Sequence, residues 1–345
     1  MNSSEAGDEA HLRRALELAR RGSPTDVNPL VGAVVTDAAG VVVGEGYHRG
    51  AGSPHAEIEA LRAAGPAARG GTVYVSLEPC CHTGRTGPCV EALLRAGVAR
   101  VVFAHADPNP EAAGGARQLS AAGVQVRAGV LAAEALAVNR TWTHLMSTGR
   151  PFVTWKLAAT LDGRRAARDG TSRWITCPEA RADVHALRAG CGAVIVGTGT
   201  VLADDPRLTV RGPAHPPTAQ PLRVVVGMRP IPPGSHVLDD EAATLVVRSH
   251  DLVEVLARLA RRGVHRAMLE GGATLAGAFV RAGLVDEVVV YLAPAMLGAG
   301  QPAVGDLRID TIANALRLTI TDLTLVGTDV RITARPNPHA EGTTT

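Results

Sequence analysis

At 345 residues, the chain has room for about two domains of roughly 150 residues each. Its 46% apolar and 20% charged residues exclude a disordered chain, and no apolar run approaches the ~20 residues of a membrane-spanning helix. Net charge is only +2 and aromatics only 3%, so the basic stripe and stacking rings of a nucleic-acid partner are not expected. The opening Met1–Arg20 carries acids and no apolar h-region; no secretory signal is expected, and the cytoplasm is the expected location.

Leu12, Ala15, Leu16 and Ala19 recur at helical spacing and predict a helix over Asp8–Arg21, with Asp8 as its cap and Gly22 as its stop. The β-rich runs Val31–Thr36 and Val41–Gly44 flank Asp37–Gly40 and read as a hairpin. A helix over His55–Ala64, a strand at Val73–Leu77 and a helix opening near Pro88 follow, the last after a loop rich in Cys, Gly and Pro. The strand Arg100–His105, a short helix near Gln118 and the strand Val124–Val130 complete a first α/β half, for which three layers are expected.

Ser147–Pro151 marks a boundary, giving domains over 1–149 and 150–335, with 336–345 expected as a disordered tail. The second half alternates again: strand Phe152–Leu157, helix Glu179–Ala189, then strands Ala193–Gly197, Leu222–Val226 and Thr244–Val247. Helix Asp251–Arg262, strand Ala267–Glu270, helix Thr274–Ala282 and strand Glu287–Leu292 continue it. Leu316–Ala334 alternates apolar and polar residues like an antiparallel edge hairpin.

Chemistry concentrates first around three of the five cysteines. Cys80, Cys81 and Cys89 lie close together in sequence, which in a cytosolic chain points to metal or catalysis. His55-x-Glu57 precedes them, and an imidazole with two thiolates is the ligand set of a catalytic zinc whose fourth position takes water. Cys80 is preferred to Cys81 as a ligand because it holds the Pro-Cys position. Glu57 is placed to move protons between water and a departing ammonia without ligating the metal. A helix start at Cys89 favours its thiolate. Eight residues separate Cys80 from Cys89, more than in a P-C-x-x-C signature, and the Gly84–Gly87 turn is expected to fold that loop back. The alternative is a structural zinc clip, which needs a fourth protein ligand, with Cys81 or His82 as the candidates.

These residues, together with Asn28-Pro-Leu-Val-Gly-Ala-Val34, Gly46-Tyr-His48, Glu78-Pro-Cys80, Arg85-Thr-Gly-Pro-Cys89 and Asp107-Pro-Asn-Pro110, resemble the riboflavin-biosynthesis deaminases of the cytidine-deaminase-like superfamily. The resemblance implies a three-layer α/β/α fold, zinc on His55, Cys80 and Cys89, and Asn28, His48 and His82 near a pyrimidine and its ribose phosphate.

A second constellation runs through the other half: Lys156–Gly163, Ser172–Thr176, Gly197–Asp205, Leu208–Arg211 and Leu269–Gly272. Gly197-x-Gly199 is only half a dinucleotide fingerprint, because Leu202 stands where the third glycine belongs. Glu270-Gly-Gly before a helix suits a pyrophosphate, and Arg188 with Arg211 reads as a clamp for a ribose phosphate.

Together these segments resemble the reductase domain of bifunctional riboflavin-biosynthesis enzymes, which implies a dihydrofolate-reductase-like α/β fold. It implies that Ala158, Trp174, Thr200, Asp204, Gly272, Ala273, Thr274, Leu275, Ala276, Gly277 and Ala278 contact NADPH. Ser172, Arg188, Leu208, Arg211 and Glu270 would then surround the substrate. The implied reactions are zinc-dependent deamination of 2,5-diamino-6-ribosylamino-4(3H)-pyrimidinone 5′-phosphate, then NADPH-dependent reduction to 5-amino-6-(5-phospho-D-ribitylamino)uracil. Lys156 and Asp204 are the candidate proton donors, and a homodimer or homotetramer through the second half is implied. The chain departs from that family at Arg165, at Thr160 and at Gly227-Met228, where an Asp-Ser pair is common before the cofactor ribose.

Overall fold

Val and Thr concentrate in the segments that form sheets, and Ala and Leu in those that form helices. The computed structural model describes residues 3–82, 87–212 and 220–337, and the chain divides between Gly149 and Arg150 into two units. Among the described residues no helix is long and apolar enough to cross a membrane.

In the first unit, α1 (Ser3–Ala19) precedes β1 (Gly32–Thr36) and β2 (Val42–Tyr47), which pair antiparallel around Asp37–Gly40. Then come α2 (Ala56–Ala64), β3 (Thr72–Leu77), α3 (Cys89–Ala96), β4 (Arg100–His105), α4 (Gly115–Ala121), β5 (Gln125–Ala128), α5 (Ala132–Val138) and α6 (Arg140–Thr148). The sheet order is β2-β1-β3-β4-β5, with β3, β4 and β5 parallel. Alternate side chains of each strand face opposite layers. Val34, Tyr74 and Val102 pack with Leu12, Leu16 and Ala135 of α1 and α5. On the other face, Val35, Val73 and Phe103 pack with Ala60, Leu93 and Leu119 of α2, α3 and α4. Gly44 and Gly46 bring α2 down onto β2, since a Cβ at either would strike the backbone of Ala60 or Ala56.

The first helix starts at Ser3, so Asp8 is not its cap. Asp8 is buried inside it, accepting two 2.7 Å bonds from Arg100 on β4 and one from Arg127 on β5. Against burial, which raises it, those arginines hold the Asp8 carboxyl below its ordinary value.

The second unit contains β6 (Phe152–Thr160), β7 (Arg164–Ala166), α7 (Pro178–Ala189), β8 (Ala193–Gly197), α8 (Thr198–Asp204), β9 (Leu222–Val226), β10 (Thr244–Val247) and α9 (Leu252–Ala260). It continues with β11 (Arg266–Leu269), α10 (Ala273–Arg281), β12 (Glu287–Ala293), β13 (Gln301–Pro302), β14 (Leu318–Val326) and β15 (Asp329–Pro336). The main sheet has the order β10-β9-β8-β11-β6-β12-β15-β14, parallel from β10 to β12 and antiparallel beyond. Its core gathers Val153, Ile195, Val224, Leu256, Leu269 and Phe279.

At the end of the chain β14 and β15 form the expected antiparallel hairpin, with β14 at the sheet edge and β15 between it and β12, and one expectation changes. Pro336 closes β15 and the Asn337 N–H donates to Arg317 O at 3.0 Å, so neither belongs to a disordered tail; 338–345 lie outside the described residues.

Candidate active sites

His55 is the residue before α2, and Cys89 is the first residue of α3, with Pro88 ahead of it. Cys80 follows β3. The start of α2, the end of β3 and the start of α3 bring the three together: His55 Nδ1 lies 3.1 Å from Cys89 Sγ and 3.5 Å from Cys80 Sγ. All three ligating atoms fall within 4.8 Å of one another. That spacing fits one zinc, whose bonds to sulfur and nitrogen run about 2.0–2.3 Å in a tetrahedral shell. Hydrogen bonds from the Cys89 thiol, then from His55 and the Cys89 backbone, outweigh burial and favour Cys80 as the thiolate a metal needs. Cys81 turns away and donates its thiol to Ala113 O at 3.0 Å, so it is no fourth ligand. Residues 83–86, most of the expected Gly84–Gly87 turn, lie outside the described residues.

Glu57, in the first turn of α2, is buried beside this trio. Burial first, then the nearby Cys80, raises its carboxyl above the ordinary value, while His55 opposes the shift.

A cleft of about 410 Å³ opens over these groups, lined among others by Asn28, His48, His82, Asp107 and Trp142. His48 Nδ1 lies 3.0 Å from the Pro54 carbonyl, so that nitrogen donates, and Nε2 accepts from Asn28 Nδ2 at 3.0 Å. The Asn28 amide is thereby fixed, and its oxygen accepts no hydrogen bond among the described residues. His82 Nδ1 is buried and has no hydrogen-bond partner among the described residues. Asp107 is pushed up to about 6, by burial first and then by the Glu78 and Cys80 charges.

Glu78 itself is structural: it accepts backbone N–H bonds from Asp107, Gly114 and Ala116 at 3.3, 3.2 and 3.0 Å, holding the loop that follows β4.

In the second unit some of the expected residues meet beyond the carboxyl ends of the parallel strands. Glu270 follows β11, and its carboxylate takes a fork from Arg188 of α7, Nε to Oε1 at 2.5 Å and Nη2 to Oε2 at 2.8 Å. Arg188 Nη1 donates to Thr209 O at 3.0 Å. These three bonds fix the guanidinium and leave one N–H on each of Nη1 and Nη2 for a further partner. Arg211 is exposed, with Nη1 3.3 Å from Thr209 Oγ1 and its backbone N–H on His185 Nδ1.

Lys156 on β6 is shielded beside this pair; burial lowers its ammonium pKa, Glu270 opposes that, and Arg188 adds to it. Leu208 is buried and turns the chain at φ +56°, a conformation costly for a non-glycine residue. Ser172 is exposed, as is Trp174, over whose ring the Arg181 guanidinium sits 4.5 Å from the centroid.

Thr200 Oγ1 accepts the Gly272 N–H at 3.2 Å, joining α8 to the start of α10; Ala158 lies on β6. Asp204 is exposed at the end of α8, with its carbonyl on Arg173 Nη2. Within the Gly272–Ala278 run, Ala276 and Gly277 are buried and Ala278 packs on the core. Gly272, Ala273, Thr274 and Leu275 form the open first turn, where backbone N–H groups are unsatisfied by the helix.

A family model described as the cytidine and deoxycytidylate deaminase zinc-binding region matches residues 5–105, and one described as the RibD C-terminal domain matches 151–332. The riboflavin biosynthesis protein RibD of Mycobacterium tuberculosis is 52% identical over 306 residues, 88% of this chain and 89% of that one. The chain belongs to the RibD family.

Solved structures agree. Acinetobacter baumannii RibD matches with a TM-score of 0.89 at 38% identity, over 97% of this chain and 100% of that one. A Thermotoga maritima protein described as a diaminohydroxyphosphoribosylaminopyrimidine deaminase/5-amino-6-(5-phosphoribosylamino)uracil reductase matches with a TM-score of 0.87 at 31% identity, over 97% and 100%. As a RibD-family protein the chain is a bifunctional enzyme of riboflavin biosynthesis, a zinc-dependent deaminase joined to an NADPH-dependent reductase. Its fold is cytidine-deaminase-like in the N-terminal part and dihydrofolate-reductase-like in the C-terminal part.

Sequence reasoning missed part of this RibD deaminase cleft. Trp142 and Met146 line it from α6, a helix whose Trp142, Leu145 and Met146 spacing is a readable helical stripe. Asn139 was also unread; its amide exchanges two 2.8 Å bonds with the Leu30 backbone and pins the loop that carries Asn28.

Proposed function

We propose that domain 1–149 replaces the 2-amino group of 2,5-diamino-6-ribosylamino-4(3H)-pyrimidinone 5′-phosphate by oxygen. Domain 150–335 then reduces the ribosyl side chain of that product, giving 5-amino-6-(5-phospho-D-ribitylamino)uracil. The observation that carries the first step is the convergence of His55, Cys80 and Cys89 beside a buried carboxylate in one cleft.

Those three residues would hold zinc, which when bound lowers the pKa of water towards ~7. Glu57 takes the proton from the attacking water and delivers it to the departing ammonia. Its burial beside the trio supports that role, because a desolvated carboxylate holds a proton more readily. Asn28 presents its amide oxygen to the pyrimidine, and His82 brings an unmet ring nitrogen. His48 acts through Asn28, whose amide it orients.

In the second step NADPH supplies the hydride. Ala158, Trp174, Thr200, Asp204 and the first turn of α10 bind the cofactor; Ser172, Leu208, Arg211 and Glu270 bind the substrate. Arg188 orients Glu270 and, with Arg211, takes the ribose phosphate through its remaining N–H groups. Lys156 is better suited than Asp204 to give up a proton as the ribose ring opens, since burial acidifies its ammonium while Asp204 is solvated.

The chain works as a homodimer or homotetramer through the second domain, where edge strand β14 exposes Ile320, Leu323 and Leu325. Its free cysteines suit a reducing cytoplasm.

Purified protein incubated with zinc, the pyrimidine phosphate and NADPH is the test. Ammonia should appear without cofactor, and NADPH absorbance should fall only after deamination. Cofactor oxidation without prior ammonia release would refute the order.

A further inference from the structure

The second unit carries another cleft, of about 440 Å³, that none of these roles uses. Ile231, Leu238 and Val246 line it, and Arg229, Arg248 and Arg258 stand around it. Arg258 is paired with Glu254 of its own helix. Among the described residues, Arg229 and Arg248 have no hydrogen bond or ion pair. Arg229 lies three residues beyond β9 and Arg248 one beyond β10, at the carboxyl edge of the parallel sheet. Ligands of open α/β sheets bind along that edge.

Arg229 also adjoins the turn expected to meet the cofactor. Its Nη2 lies 2.6 Å from where a Cβ on Gly199 would stand, so this glycine is what lets the guanidinium rest against the start of α8. Thr200, next in that turn, holds the Gly272 N–H. Gly227 has φ +132°, and a Cβ there would come 2.8 Å from Thr198 Oγ1. The aspartate common at that place therefore does not fit, and Met228 beside it is exposed and has no charge.

We propose that Arg229, with Arg248 beside it, seats the 2′-phosphate of NADPH and sets the preference for NADPH over NADH. This rests on the reading of the second domain as an NADPH-dependent reductase. A phosphate monoester near −2 suits two free guanidinium forks, and the Ile231, Leu238 and Val246 wall suits an adenine face. NADH offers only a hydroxyl there, leaving two like charges uncompensated.

Calorimetric titration of the full chain with NADP+, NAD+, adenosine 2′,5′-bisphosphate and adenosine 5′-phosphate tests it. Wild type should bind each 2′-phosphorylated ligand at least ~10-fold more tightly than its counterpart, and less so as salt rises. Arg229→Ala should erase that preference while leaving NAD+ affinity as it was; Arg229→Lys should restore part of it, and Arg248→Ala should give a smaller loss. Gly199→Ala, which displaces the guanidinium, should imitate Arg229→Ala. A variant that keeps the preference, or that loses NAD+ equally, overturns the proposal. NADP+ binding without preference in wild type overturns it and leaves the reductase reading standing, whereas binding of neither dinucleotide removes both.

Discussion

In the first unit the reacting groups sit at the ends of local elements: His55 before α2, Cys89 opening α3, Cys80 just past β3. In the second, the central pair Arg188 and Glu270 meets across 82 residues of sequence, and neither lies in a motif that announces the other. Metal chemistry demands particular ligand types at short range, so it leaves a readable spacing. A buried ion pair demands only that two charges converge, so the sequence offers Arg188 and Glu270 as separate residues and not as each other's partner.

The sharpest way to break the contrast is Glu57→Gln. If the local motif is the catalytic machinery, deamination should fall by about 10²–10⁴-fold, the usual worth of a general acid/base. Metal analysis should still find one zinc per chain, and ammonia release measures the rest. Near-normal turnover would show that the proton moves by another group.

Next in size is Glu270→Gln, which leaves the Arg188 guanidinium buried without its counter-charge. Breaking a buried pair on one side costs about 3–5 kcal/mol, so the denaturant midpoint of the second unit should drop while that of the first holds. Reduction should weaken with it. An unshifted second transition would mean the pair is solvated in solution.

Strands were the most legible part of the fold. β4, β8, β9 and β10 have the bounds their β-branched runs predict, and the first three do so because buried parallel strands read as unbroken apolar stretches. Two failures share a cause. Asp8 looked like a cap because its acid stands at the edge of an apolar stripe, yet its partners Arg100 and Arg127 come from strands far along the chain. Pro336 looked like the start of a tail, whereas pairing of β15 with β14 carries order to Asn337. In each case a tertiary contact overrode a sound local signal.

His185 offers the finest probe of the second site, because it senses the charges that Arg188 and Arg211 place there. Burial first, then Arg188 and Arg211, push its ring down to about 4 from 6.5, with Glu270 opposing them. Above pH 6.5 the ring is neutral whether the unit is folded or not, and its full contribution is present. As pH falls from 6.5 towards 4 the unfolded chain takes up a proton that the folded one refuses, so stability is lost. Solvent screening at this half-buried position cuts the loss to about 1–2 kcal/mol. His185→Asn keeps an acceptor for the Arg211 N–H but cannot titrate. Urea unfolding at pH 7 and pH 4.5 should therefore show wild type losing more stability than the variant between the two. Equal losses would mean that the arginines do not crowd His185, and that Arg188 is less committed to this site than its contacts with Glu270 and Thr209 require.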